Sequence, residues 1–184
     1  MAGDPAAFVF VGGRPALDLV ATLGRRHATP VERLPDPDAL ARWLVAAGVL
    51  PGTPPADDAD LARAHALRES VHALVRAAIE GAAPPAAAVG TVNAVAAGPD
   101  VAVALTRGVA EPVAASAAAG LAALARDAVR LLGGPLAARI RECAHPDCSL
   151  VFLDATRSGR RRWCSMARCG NLVKVSGYRA RRGG

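Results

Sequence analysis

Cys143-Ala-His-Pro-Asp-Cys148 and Cys164-Ser-Met-Ala-Arg-Cys169 hold every cysteine of this 184-residue chain, as two C-x4-C pairs with fifteen residues between them. Two short thiolate pairs brought together by an intervening hairpin supply the four soft ligands that zinc takes in a tetrahedron. Four thiolates leave no open coordination position, so the expected ion is structural rather than catalytic. The spacing is not that of the common ferredoxin clusters. His145 would serve as a ligand only by replacing a cysteine; within Ala-His-Pro-Asp it reads as a turn residue. The expectation is one structural Zn2+ held by Cys143, Cys148, Cys164 and Cys169.

Around these pairs the chain reads as a small module. Leu150-Val-Phe-Leu153 is a strand, Arg157-Ser-Gly159 a turn and Arg160-Arg-Arg-Trp163 a returning strand. Ser165 is a good N-cap, which places Cys169 in the first turn of a helix running to about Arg182. A knuckle, a hairpin and a ligand pair at a helix start make a treble-clef-like plan, in which the helix dipole helps to hold the thiolates. Phe152 and Trp163 are its expected apolar centre. So small a segment owes its folding mainly to the ion, which contributes on the order of 10–16 kcal/mol in isolated finger peptides.

Charge follows the same division. Residues 139–184 carry eleven basic and three acidic side chains, and no acidic residue follows Asp154; residues 1–138 carry eleven basic and thirteen acidic ones. A basic tail on a near-neutral body points to a polyanionic partner, with DNA first. Arg160, Arg161 and Arg162 on the strand, with Arg168, Lys174, Arg179, Arg181 and Arg182 on the helix, are the candidate phosphate contacts. The N-terminus lacks the basic start of a secretory leader, and no apolar run reaches membrane length. A cytoplasmic protein is expected, where reduced thiols favour metal over disulfides.

Upstream, residues 8–23 open with the β-favouring run Phe-Val-Phe-Val and a Gly-Gly turn; after Pro15 periodicity permits a helix or a second strand. Asp18 reads as a helix or turn cap ahead of a ligand group. Asp36-Pro37-Asp38 opens a helix with Leu40, Trp43, Leu44 and Ala47 on one face and Gly48 at its end. Asp57, Asp58 and Asp60 stand at the start of the clearest helix, whose face is Leu61, Ala64, Leu67, Val71, Leu74 and Ala78. Ala86–Ala97 is a short helix, and 101–105 with 109–113 form a hairpin through Arg107-Gly108. Leu121, Leu124, Ala128 and Leu131 mark a further helix that ends at Gly133-Gly134-Pro135. A short helix from Pro135 to Arg141 leads to Cys143. The fold class is α+β: a mainly helical N-terminal domain with short strands over 1–134, and a zinc finger over 135–184 packed close against it.

Cys143-x4-Cys148, Phe152-Leu-Asp154, Arg160-Arg-Arg-Trp-Cys-Ser-Met166 and Cys169-Gly-Asn171 resemble the CGNR zinc-finger family. Gly13-Arg-Pro-Ala-Leu-Asp-Leu-Val20, Trp43-Leu44, Leu67-Arg-Glu69 and Ala125–Leu132 resemble its N-terminal ABATE domain. The resemblance implies a bacterial transcription regulator of stress responses, with structural zinc, a DNA-binding finger and a regulatory α+β module open to a signal or small-molecule ligand. Leu172 stands where the motif closes on Arg, and Ala21 where the upstream motif has Asn. On a helix, Leu172 interrupts the stripe of Arg168, Val175, Arg179 and Arg182.

The rival reading is a redox- or metal-sensing module, or a protein-interaction adaptor, whose finger does not contact DNA. No nucleophile–base pair, Gly-rich phosphate loop or helical metal motif is evident upstream, so no enzyme is expected; His65 and His72 are seven apart, too far for a one-turn metal pair.

Overall fold

Capping side chains set the helix starts. In the computed structural model, which describes residues 7–113 and 116–171, Asp36 accepts from the Ala39 amide, Asp57 from Asp60 and Ser116 from Ala119. These caps satisfy amides that the first turn leaves without an intrahelical partner. They begin α2 (Pro37–Ala46), α3 (Asp58–Glu80) and α5 (Ala117–Leu132); α1 (Pro15–Val20) and α4 (Ala86–Ala96) begin at prolines. Pro15 thus resolves the ambiguity of its segment in favour of a helix. The long helix α3 buries Ala64, Leu67, Val71 and Leu74 as its period requires, but turns Val75 and Ala77 inward and leaves Ala78 exposed.

Among the described residues the strands form three antiparallel pairs: β1 (Leu23–Gly24) with β2 (Val31–Glu32), β3 (Val103–Thr106) with β4 (Val109–Pro112), and β5 (Ile140–Glu142) with β6 (Val151–Leu153). Arg107 and Gly108 both have positive φ, 50° and 83°. That is the turn a two-residue hairpin favours, because its twist matches the strands. The architecture is α+β, helices dominating, with short strands. No helix among the described residues is long and apolar enough to cross a membrane.

Helices α1 to α5 all contribute to the main core, centred on Leu17, Leu19, Trp43, Leu67, Leu121 and Leu124. Gly120 lets α5 approach α2, since a Cβ there would stand 3.1 Å from Leu44 Cδ2. Ile140, Val151 and Leu153 of β5 and β6 belong to this core. A second cluster gathers Val9, Ala21, Leu150, Phe152 and the buried cysteines, with Val11, Cys148 and Trp163 against it.

Three expectations, of the tail and of the N-terminal run 8–12 (here the leader), are corrected. Residues 160–163 form no strand, and residues 135–141 are not one helix. A 3-10 turn over Pro135–Arg139 gives way to β5, which pairs Ile140 with Leu153, Arg141 with Phe152 and Glu142 with Val151. The other edge of β6 is met by the leader, where the Leu153 amide donates to the Gly12 carbonyl at 2.8 Å. With both edges engaged, 160–163 has no strand to join, and it meets the knuckle through the Ala144 amide bonded to the Arg162 carbonyl. The run Phe8–Val11 is likewise extended without being a ladder strand. Its side chains alternate as an extended chain dictates: Val9 and Val11 face the cysteine cluster, Phe8 packs on the main core, and Phe10 lies 6.2 Å from Trp43.

Asp18 ties the leader to α1 by accepting from the Gly12 amide at 2.8 Å. Burial raises its pKa to about 6, over the opposing backbone hydrogen bonds. The folded state therefore binds a proton more tightly than the unfolded chain. The stability this proton supplies is complete below about pH 4 and is lost as pH rises through 6. Asp18→Asn keeps an acceptor for Gly12 and removes this loss. The urea midpoint of the variant relative to wild type should rise between pH 4 and pH 7, and a constant difference would refute the assignment.

Candidate metal centre

The β5–β6 hairpin carries the first cysteine pair at its tip. The Cys143 amide donates to the Leu150 carbonyl and the Cys148 amide to the His145 carbonyl, both at 2.9 Å, which closes the knuckle. His145 acts as a turn residue, its Nδ1 accepting from the Asp147 amide at 3.2 Å. The second pair flanks the start of a one-turn π-helix, Met166–Gly170, which Ser165 caps by accepting from the Arg168 amide. This turn replaces the first α-helical turn expected there. The course expected onward to Arg182 lies outside the described residues.

All four Sγ atoms lie within 4.8 Å of one another. Cys164 Sγ is 3.6 Å from Cys169 Sγ and 3.9 Å from Cys148 Sγ. A tetrahedron with zinc–sulfur arms of about 2.3 Å has edges of about 3.8 Å, so both separations suit a shared ion. They far exceed the disulfide length of about 2.05 Å, and all four cysteines are free. The Cys164 amide donates to Cys143 Sγ at 3.4 Å, which supports negative charge on that sulfur.

Cys143, Cys164 and Cys169 are buried and Cys148 half-buried. A hydrogen bond with Cys164, aided by burial, pushes the Cys148 thiol upward; burial and the charge of Cys148 push Cys169 up to about 12. Protons therefore hold these sulfurs until a cation displaces them, and affinity for the ion should fall as pH falls.

The module is joined to the helical body through the residue before Cys143. Glu142 accepts from Arg76 of α3 and from His27 Nε2 at 2.8 Å, while the Arg26 amide donates to Ser149 Oγ at 2.9 Å. Behind this contact, Arg68 is buried between Glu32 at 2.7 Å and Glu69 at 2.9 Å. Burial alone would raise Glu69, but hydrogen bonds from Arg26 and Arg68 hold it down at about 2. His72, in the same region, is lowered to about 4 chiefly by burial and is neutral near pH 7.

Of the seven arginines expected to meet phosphate, the four among the described residues are differently placed. Arg160, Arg162 and Arg168 are exposed. Arg161 turns inward: its guanidinium lies 4.2 Å over the Phe152 ring, its Nε donates to the Trp163 carbonyl at 2.9 Å, and it also bonds the Cys164 carbonyl. Lys174, Arg179, Arg181 and Arg182, with Leu172, lie outside the described residues.

Asp154, quoted in the motif Phe152-Leu-Asp154 without a role, is a structural residue. It is buried and accepts from the Thr156 hydroxyl at 2.6 Å and from the Thr156 and Arg161 amides at 2.9 Å each. The Thr156 hydroxyl contributes most to holding its pKa at about 2. Asp-Ala-Thr is an Asx-turn signal, and a carboxylate followed by no further acidic residue in a basic tail needs donors; both clues are in the sequence.

Residues 13–135, more than half of the chain, match the model of the ABATE family, described as "putative stress-induced transcription regulator". The chain belongs to the ABATE family. Residues 139–182 match the CGNR zinc finger, so the sulfur cluster of this ABATE protein lies in the segment where that family carries its zinc. No curated protein sequence matches the chain. Both matched models describe regulator and zinc-finger segments.

Proposed function

We propose that this ABATE protein is a cytoplasmic, zinc-dependent transcription regulator. Its finger, residues 135–184, holds one structural zinc on Cys143, Cys148, Cys164 and Cys169 and contacts DNA under the control of residues 1–134. The observation that carries this reading is the exposure of Arg160, Arg162 and Arg168 beside the four-sulfur cluster, where the nearest sequence carboxylate, Asp154, is already buried and bonded. The ion sets the wall on which these side chains stand. Arg161 braces that wall through Phe152, and the sequence beyond adds Lys174, Arg179, Arg181 and Arg182 with no acidic residue among them.

Guanidinium–phosphate contact supplies affinity without sequence choice. Each phosphate neutralised on a duplex adds about 0.9 to the slope of log affinity against log salt. Replacing Arg160, Arg162 and Arg168 together by Gln should therefore lower the slope by about 2.7, with zinc content unchanged. A slope equal to that of the wild type would remove these residues from the interface.

The sensing alternative draws on the shared core. Val9, Val11 and Ala21 pack against the cysteine cluster, so ejection of an ion would loosen the leader as well as the finger. Peroxide titration separates the readings: zinc release at oxidant levels that leave the helices folded marks a sensor, and retention marks a structural ion.

A further inference from the structure

Beside the sulfur cluster, Thr156, Ser158, Arg160, Arg162, Trp163 and Met166 line a groove of about 450 Å³ that Arg161 also borders. That volume falls within the range of about 300–1,000 Å³ usual for ligand pockets. Its polar groups are guanidinium and hydroxyl, no carboxylate is among its lining residues, and Asp154 is turned inward onto Thr156 and Arg161. Its apolar groups are an indole and a thioether. Trp163 is half-buried, with the Arg162 guanidinium 5.1 Å from its ring centroid, and Met166 is 48% exposed.

A duplex offers phosphates and base edges but keeps the faces of its bases within the stack. A concave basic groove containing an aromatic ring suits a strand whose bases are free to stack. An acidic peptide would satisfy the guanidinium groups and leave the indole unmatched. We propose that this groove binds single-stranded nucleic acid, with a base stacked on Trp163 beside Met166 and neighbouring phosphates on Arg160 and Arg162. Arg162 leaves the indole face as the base arrives. The inference rests on the reading that the finger binds nucleic acid and adds which form of it this groove takes.

The two tryptophans make the test direct. Trp43 is 0% exposed in the main core, so quenching by an added oligomer reports on Trp163. The zinc-loaded protein is titrated with short oligo(dT), oligo(rU) of equal length, a DNA duplex of that length and inorganic polyphosphate. Both single strands should quench the emission, or one of them if the sugar discriminates, whereas polyphosphate should bind without quenching. Trp163→Leu should weaken single-strand binding by roughly tenfold and leave polyphosphate binding unchanged. Since Trp163 packs beside Gly170, its Cδ1 lying 3.4 Å from where a Cβ would stand, the exposed Arg162→Gln supplies a second variant. It should reduce the single-strand salt slope by about 0.7 with zinc content intact. Single-strand binding without quenching, or quenching by polyphosphate alike, overturns the proposal. Duplex binding with no single-strand binding overturns it while sparing the DNA reading; binding of neither form ends both.

Discussion

Chelating the ion, or replacing Cys169 by Ser, should disorder residues 143–149 and 154–171 and abolish the proposed DNA binding, while residues 140 and 151–153 stay ordered. The division follows from where each part has its core. Ile140, Val151 and Leu153 pack into the helical body and keep that burial without the ion. Among the described residues, the knuckle and the π-helical turn have only Leu150, Phe152, Trp163 and the borrowed Val9, Val11 and Ala21 around their sulfurs. That small apolar cluster is outweighed by an ion whose binding contributes on the order of 10–16 kcal/mol in finger peptides. Hydrogen exchange with and without chelator reads the pattern peptide by peptide, and metal analysis should give one zinc per chain. Unchanged protection across 154–171 after chelation, or iron in place of zinc, would refute the assignment. Acidification should mimic chelation, since protons compete for sulfurs whose thiols burial and mutual contact already favour.

Phe152→Ala should destabilise the protein by about 3–5 kcal/mol, the range for truncating a fully buried aromatic ring. Phe152 is 0% exposed and lies in the cluster that contains Val9, Ala21, Cys143, Cys164 and Cys169. Its removal leaves a cavity between the leader and the sulfurs and takes away the face on which the Arg161 guanidinium rests. Arg161 then loses the support that aims it at the Trp163 and Cys164 carbonyls. The effect should appear as a lowered urea midpoint and weakened zinc retention together. Phe10→Ala is the control: that ring is 43% exposed and should cost much less. Equal losses for the two variants would mean that the second cluster does not hold the finger to the body.

Much of this was legible from local signals. The paired cysteines announced the sulfur cluster because C-x4-C spacing is set within a few residues, and the caps at Asp36, Asp57 and Ser165 act on amides three residues away. The positive-φ pair Arg107-Gly108 similarly marked its hairpin. Leu67, Val71 and Leu74 declared their buried face by helical period alone.

Strand partners and charge partners were decided at longer range. β6 could have paired with residues 160–163 on propensity, but β5 and the leader engaged its two edges. Arg76 and His27 find Glu142 across 66 and 115 residues, and no sequence window of helical or strand length contains such a pair. The run of three arginines gave no hint that Arg161 would turn inward over Phe152 while its neighbours stayed exposed. Chemistry held within one or two turns of chain is written in the sequence, because bond geometry fixes those distances. Which edge is free, and which guanidinium meets solvent, follows only when distant segments compete for the same surface.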